Sequence, residues 1–149
     1  MREKIAEALK QATKNQEKKR VCTMRLTMAA IKDRDIANRG AGKDPVSDEE
    51  ILQILAKMVK QRQESAKTYE EAHRLELAEQ ELGEIEIIRE FMPRQLCEED
   101  TKQAVAEVID EIKADGLRDV GRCMNTLKQR FPGRMDFGKA SGIAKTMLR

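Results

Sequence analysis

An all-α protein is what this sequence predicts, and three observations carry that. Apolar residues recur at three- and four-residue spacing along nearly the whole chain, the period of one helical face. Charged residues make up 38% of the 149 and aromatics only 3%, with 8 Met, so the cores must be aliphatic. The three prolines, Pro45, Pro93 and Pro132, fall between the periodic stretches rather than inside them. A chain of this length can bury one ordinary core or two small ones without metal or disulfide support.

Ile5, Ala8, Leu9 and Ala12 mark a first amphipathic helix, and Val21, Met24, Met28, Ile31 and Asp35 continue the spacing in a second. Asn15 is the interruption between them, but it is a weak breaker, so one bent helix also fits. Gly40-Ala41-Gly42-Lys43-Asp44-Pro45 is a loop. Beyond it Ser47 and Glu50 form a capping box, and Val46 can staple onto Ile51, so a helix must begin at Asp48. Its stripe runs Ile51, Leu55, Met58, Arg62, Ala66 and Tyr69 and should end near Ala72. A fourth helix carries Leu75, Ala78, Leu82, Ile85 and Phe91 and stops before Pro93.

Cys97 then stands where a helix cap is normally Ser or Thr, and a thiol caps poorly. Val105, Val108, Ile109 and Ile112 line a fifth helix closed by Asp115-Gly116. Val120, Met124, Leu127 and Phe131 define a sixth, capped by Asp119 and ended by Pro132-Gly133. The seventh runs from Phe137 to Leu148 behind an Asp136 cap, with Phe137, Ala140, Ala144 and Met147 as its stripe. The expected organisation is an N-terminal helical bundle of hairpins over 1–93 and a small three-helix domain over 94–149.

Net charge is only +2, but its distribution is uneven. Residues 1–43 hold 12 Lys/Arg against 5 Asp/Glu, and 44–92 hold 6 against 13. Residues 93–115 hold 3 against 7, and 116–149 hold 8 against 2. Basic ends around an acidic middle can neutralise each other by packing, or can present a cationic surface to a polyanion, nucleic acid first. No run has the apolar length of a spanning helix, and the amino terminus lacks a signal peptide's apolar stretch, so no membrane role is expected. Cys22, Cys97 and Cys123 form no C-x-x-C pair and read as reduced thiols of a cytoplasmic protein.

Candidate chemistry thins out on inspection. Gly133-Arg134-Met135-Asp136-Phe137-Gly138-Lys139-Ala140 matches a phosphate-binding loop until its last position, where Ala140 lacks the hydroxyl that would hold Mg²⁺. Glu70-x-x-His73 has the spacing of a di-iron ligand pair, yet that site needs the motif twice and the chain has one histidine. Neither a metal nor another cofactor is therefore expected. Glu79, Glu81, Glu84 and Glu86 read as a solvated face rather than an acid/base pair, since general acid work needs burial. Cys22 and Cys123 fall on apolar stripes, which suits core positions better than nucleophiles. Tyr69, Phe91, Phe131 and Phe137 also fall on stripes, which leaves no platform for stacked bases; folded RNA read through phosphates and shape needs only cations and helix termini.

Three segments, Phe91-Met92-Pro93-Arg94-Gln95-Leu96, Asp119-Val120-Gly121-Arg122-Cys123-Met124 and Gly133-Arg134-Met135-Asp136, stand in an order that resembles the GatB/YqeY family. Met24-Arg25-Leu26, Gln61-Arg62-Gln63-Glu64-Ser65 and Glu84-Ile85-Glu86-Ile87-Ile88 extend the likeness over the whole chain. His73 stands where such chains often carry glycine, so a left-handed C-cap is expected there, or else two helices fuse. Cys97 stands where they commonly have Ser, Phe137 where many have a second glycine, and Met135 where many have alanine. The resemblance implies a helical module like the tail of the GatB subunit of glutamine-dependent tRNA amidotransferases, without the catalytic domain that precedes that tail. It thus implies tRNA, or a tRNA-bound protein complex, as partner, with a carbon–nitrogen ligase activity using glutamine belonging to the larger assembly rather than to this chain alone. Arg118, Arg122, Arg134 and Lys139, all off the apolar stripes, are the candidate nucleic-acid contacts. A protein-interaction adaptor that binds an acidic partner without RNA is the alternative class, and an enzyme acting alone the third.

Overall fold

The computed structural model describes residues 1–149 and contains seven α-helices, one 3₁₀ turn and no strand, an all-α fold. The helices are α1 Arg2–Lys14, α2 Lys18–Gly40, α3 Asp48–Glu71, α4 Leu75–Arg89, α5 Glu98–Ile112, α6 Val120–Arg130 and α7 Phe137–Met147. No helix is long and apolar enough to cross a membrane. The chain divides into two compact units, Met1–Met92 and Pro93–Arg149.

Four of the helix ends share one device. After α1, α2, α3 and α5 a residue turns into the left-handed region, and two reversed hydrogen bonds close the last turn in a Schellman motif. At α1 the residue is Gln16 (φ 57°), with Glu17 N–H donating to Ala12 O at 3.0 Å. At α2 it is Gly42 (φ 69°), with Lys43 N–H donating to Asn38 O at 2.8 Å. At α3 it is His73 (φ 57°), with Arg74 N–H donating to Tyr69 O at 2.8 Å, so α3 and α4 do not fuse. At α5 it is Lys113 (φ 52°), with Ala114 N–H donating to Ile109 O at 3.0 Å. Only one of the four positions is glycine. Gln16 therefore separates α1 from α2, one residue past Asn15, and Lys113 stops α5 ahead of Asp115-Gly116.

The first unit closes around Ile5, Ile31, Ile51, Leu55, Ile85 and Ile88. The capping box at Ser47 is formed, with Glu50 N–H donating to Ser47 Oγ and Ser47 N–H to Glu50 Oε2. Asp35 takes two hydrogen bonds from the Arg2 guanidinium, at 2.7 and 2.9 Å, and one from Val46 N–H at 3.0 Å, so it ties α1 and the loop before α3 to α2. Those donors, Arg2 first, lower its pKa to about 2. Arg62, on the apolar stripe of α3, is matched by Glu84 of α4 at 3.0 Å, with side chains 12% and 17% exposed. Glu84 thus leaves the solvated run to which the sequence assigned it. Burial raises the pKa of its neighbour Glu81, the Glu84 charge adding to the shift and Arg62 opposing it.

Packing overturns several stripe positions. Leu75 and Leu82 lie on the open face of α4, while Ala78, Ile85 and Ile88 point inward. Cys22 is exposed, and α2 instead buries Thr23, Thr27 and Asn38. The threonine hydroxyls are satisfied within the helix by donating to Lys19 O at 3.0 Å and Thr23 O at 2.9 Å.

In the second unit α5, α6 and α7 pack mutually around Val105, Val108, Cys123, Leu127, Ala140 and Ala144. Cys123 is fully buried, and that burial, with a smaller push from Asp119, raises its thiol pKa. Met147 is exposed, and Leu148 packs on the core in its place. Cys97 does cap α5, its Sγ accepting from Asp100 N–H at 3.4 Å, a distance that suits the larger sulfur atom. Asp119 does not cap α6. A 3₁₀ turn, Leu117–Asp119, leads into that helix, and the Asp119 carboxylate accepts from Asp115 N–H at 3.0 Å and from Arg122.

Candidate nucleic-acid interface

Each of the four sequence-predicted contacts has its own environment. Arg118, in the 3₁₀ turn, is exposed and pairs with no carboxylate. Arg122, one turn further on, reaches Asp119 Oδ1 at 3.2 Å and Ile112 O at 3.5 Å while staying 63% exposed. Arg134 is half-buried and structural. Its Nε donates to Arg94 O at 3.2 Å, its carbonyl accepts from Leu96 N–H at 2.7 Å, and its guanidinium lies 5.9 Å from the centroid of the Phe131 ring. With Gln95 donating to Gly133 O, these bonds pin residues 94–96 to the loop before α7. Lys139 is exposed in the first turn of α7, and its charge adds a small downward push to Glu98, whose pKa is lowered chiefly by Lys102.

The four do not form one cluster. Arg122 touches the last residue of α5, whereas Arg134 and Lys139 act on residues at or just before its first turn. A helix of 15 residues separates those ends by about 22 Å. Arg118 with Arg122 is one pair and Arg134 with Lys139 another.

The loop that mimics a phosphate-binding motif is occupied from within. Asp136 Oδ1 accepts from Gly138 N–H at 2.9 Å and Lys139 N–H at 3.4 Å, the amides that a phosphate would need. Met135 and Ala140 are buried beneath it, and Phe137 packs on the same core, so the bulk at Met135 and Phe137 fills the interior.

The second unit as a whole holds 11 Lys/Arg against 9 Asp/Glu, because acidic α5 packs against basic α6 and α7. Part of the charge is neutralised internally, with Arg130 paired to Glu111 across α5 and α6. The rest is unevenly spread. Arg118, Lys128, Lys139 and Lys145, on α6, α7 and the turn before α6, are exposed with no carboxylate partner, and Glu99, Asp100, Glu107 and Asp110 on α5 have no cation partner. Asp136 at the start of α7 and Arg94 and Lys113 at the ends of α5 are unpaired exceptions. Lys128 and Lys145 were missed in the sequence. Their position off the apolar stripes was legible, but which cations α5 would neutralise was not.

The chain is built of helices alone, in two compact units. The YqeY-like protein family model matches residues 2–148, and the chain belongs to that family. It is 30% identical over 129 residues to "Altered inheritance of mitochondria protein 41, mitochondrial" of Clavispora lusitaniae, covering 85% of this chain and 72% of that protein. An uncharacterized protein of Schizosaccharomyces pombe is 29% identical over 89 residues, 60% of this chain and 69% of its own length.

Proposed function

We propose that this chain is a translation-associated accessory module, non-catalytic alone, that engages tRNA or a tRNA-bound protein complex through the α6–α7 side of its second unit. The observation that supports the reading is the excess of unpaired cations on that side, Arg118, Lys128, Lys139 and Lys145, against one unpaired acid there, Asp136, whose carboxylate is taken up in capping α7. Cations held on rigid helices suit phosphates in a folded RNA, whose shape rather than sequence is read. The link to glutamine-dependent tRNA amidotransferases, and through them to carbon–nitrogen ligation, rests on the family resemblance. Three cysteines without a disulfide suit a reducing compartment such as the cytoplasm, while the Clavispora relative is mitochondrial by its name.

Titration of tRNA with the full chain at several salt concentrations tests this. Affinity should fall steeply, each neutralised phosphate adding roughly 0.7–0.9 to the log–log slope. Replacing Arg118, Lys128, Lys139 and Lys145 by Glu should abolish binding with the helical circular dichroism intact; Arg134 is left alone because it holds the chain together. Retained affinity in that variant, or none in the parent at low salt, sinks the reading. Exposed Leu117 and Met147, beside Arg118 and near Lys145, favour the protein adaptor as the second reading. A partner captured equally well after ribonuclease treatment, and lost in the Leu117→Asp variant, would decide for it.

A further inference from the structure

The outer face of α2 is built the wrong way round for a solvent-facing helix. The helix buries Thr23, Thr27 and Asn38 along with Met24 and Ile31, while Leu26 and Ile36 stand 48% and 59% exposed. Beside them runs a row of cations, Lys18, Arg25, Lys32 and Arg39, each seven residues from the next and therefore about 10.5 Å apart on one face. None of the four meets a carboxylate, since only Arg20 and Arg34 of this helix do. Between the cations, Cys22 and Ala29 are small, which leaves shallow holes along the strip.

The outer face of α4 is its complement. Leu75 and Leu82, 62% and 45% exposed, lie seven residues apart, and Glu79 and Glu86 form a parallel row at the same spacing. Neither glutamate meets a cation in the monomer. Each helix thus offers an apolar strip edged mainly by one sign of charge, and the signs are opposite, with Asp33 the one acid on the α2 face and Arg89 the one cation at the end of the α4 strip. Residues 1–43 and 44–92 carry equal and opposite net charge, +7 and −7.

We infer that the first unit self-associates, α2 of one copy lying against α4 of the second and α4 of the first against α2 of the second. The leucine knobs of α4 seat over Cys22 and Ala29, and Glu79 and Glu86 run beside Arg25 and Lys32. A two-fold pair uses both strips twice and closes, so no strip is left to propagate a fibre. Each contact is limited by α4, about 22 Å long and roughly 10 Å wide. Two such contacts bury on the order of 900 Å² in all, below the range of stable specific interfaces, so the dimer is weak, concentration-dependent and salt-sensitive. This holds independently of any RNA.

Sedimentation of the nuclease-treated full chain over a range of concentrations tests it. The parent should pass from monomer to dimer as concentration rises into the micromolar range and should return to monomer in high salt. Arg25→Glu with Lys32→Glu, and separately Glu79→Lys with Glu86→Lys, should each remain monomeric. Mixing these two variants should restore a dimer, because each reversed strip then meets its reversed partner. A parent that stays monomeric throughout, or a mixture that does not recover the dimer, overturns the proposal. Should either charge variant lose its helical signal, Glu79→Cys in a Cys97→Ser background is the second route. A short bismaleimide should then link the thiol introduced on α4 of one copy to Cys22 of another, and absence of that cross-link counts equally against the inference.

Discussion

Replacing Glu84 by Gln should cost the first unit about 2–4 kcal/mol, more than any other single change on its charged residues. The side chain of Arg62 is 12% exposed and that of Glu84 17%, so both charges have left most of their hydration. Their 3.0 Å contact offsets that loss, and a second donor of Arg62 reaches only Met58 O at 3.4 Å. Taking away the carboxylate leaves a largely buried guanidinium without its bonded partner, with Glu81 as the carboxylate remaining nearby. Breaking a buried pair in this way costs about 3–5 kcal/mol, and the residual exposure here trims it to about 2–4. For a unit of 92 residues that corresponds to a fall of roughly 10–25 °C in the midpoint. Urea unfolding followed by tyrosine fluorescence reads the first unit alone, because Tyr69 is the one tyrosine and the chain has no tryptophan. Replacing both partners, Arg62→Met with Glu84→Leu, should come within about 1 kcal/mol of the parent, since two apolar chains need no compensation. If the double variant is as unstable as Glu84→Gln, or if Glu84→Gln costs under about 0.5 kcal/mol, the pair does not bear the desolvation argued here.

Other outcomes follow from the same structure. Asp35, with its pKa lowered to about 2 by Arg2 and the Val46 amide, contributes stability that is present above the unfolded aspartate pKa near 3.9 and lost as pH falls towards 2. An acid titration of the first unit should show that loss, and Asp35→Asn should remove this component from it. His73→Gly and Lys113→Gly should each stabilise by about 0.5–1 kcal/mol, because glycine takes positive φ without the Cβ strain that His73 and Lys113 bear; a loss in thermal melts would contradict that. Of the three thiols, Cys22 and Cys97 should react promptly with a disulfide reagent in dilute, monomeric protein and Cys123 only on unfolding, since it is buried with a raised pKa. Limited proteolysis should open the 40–45 loop before residues 94–96, which are held by Gln95, Leu96 and Arg134; Arg134→Ala should reverse that order.

Local chemistry sufficed to place the helices. Ser47 with Glu50, Asp136 with its two amides, and the apolar stripes through Ile51, Leu55 and Leu127 each act within a few residues, so they could be read along the chain. The failed phosphate loop was legible for the same reason, because Ala140 lacks a hydroxyl whatever surrounds it. Packing between distant segments chose which face of α4 meets α3, and so left Leu75 and Leu82 outside, because a helix with apolar residues nearly all round does not itself specify a buried side. It also turned Glu84 inward, since only the approach of α4 to α3 brings that carboxylate to Arg62. Of the four candidate arginines and lysines, it made Arg134 a brace and brought Arg122 to the Ile112 carbonyl, while Arg118 and Lys139 stayed free. The net charge over 116–149 could be counted along the chain, yet how much of it survives depends on α5 bringing its acids against α6 and α7, a contact between residues far apart in sequence.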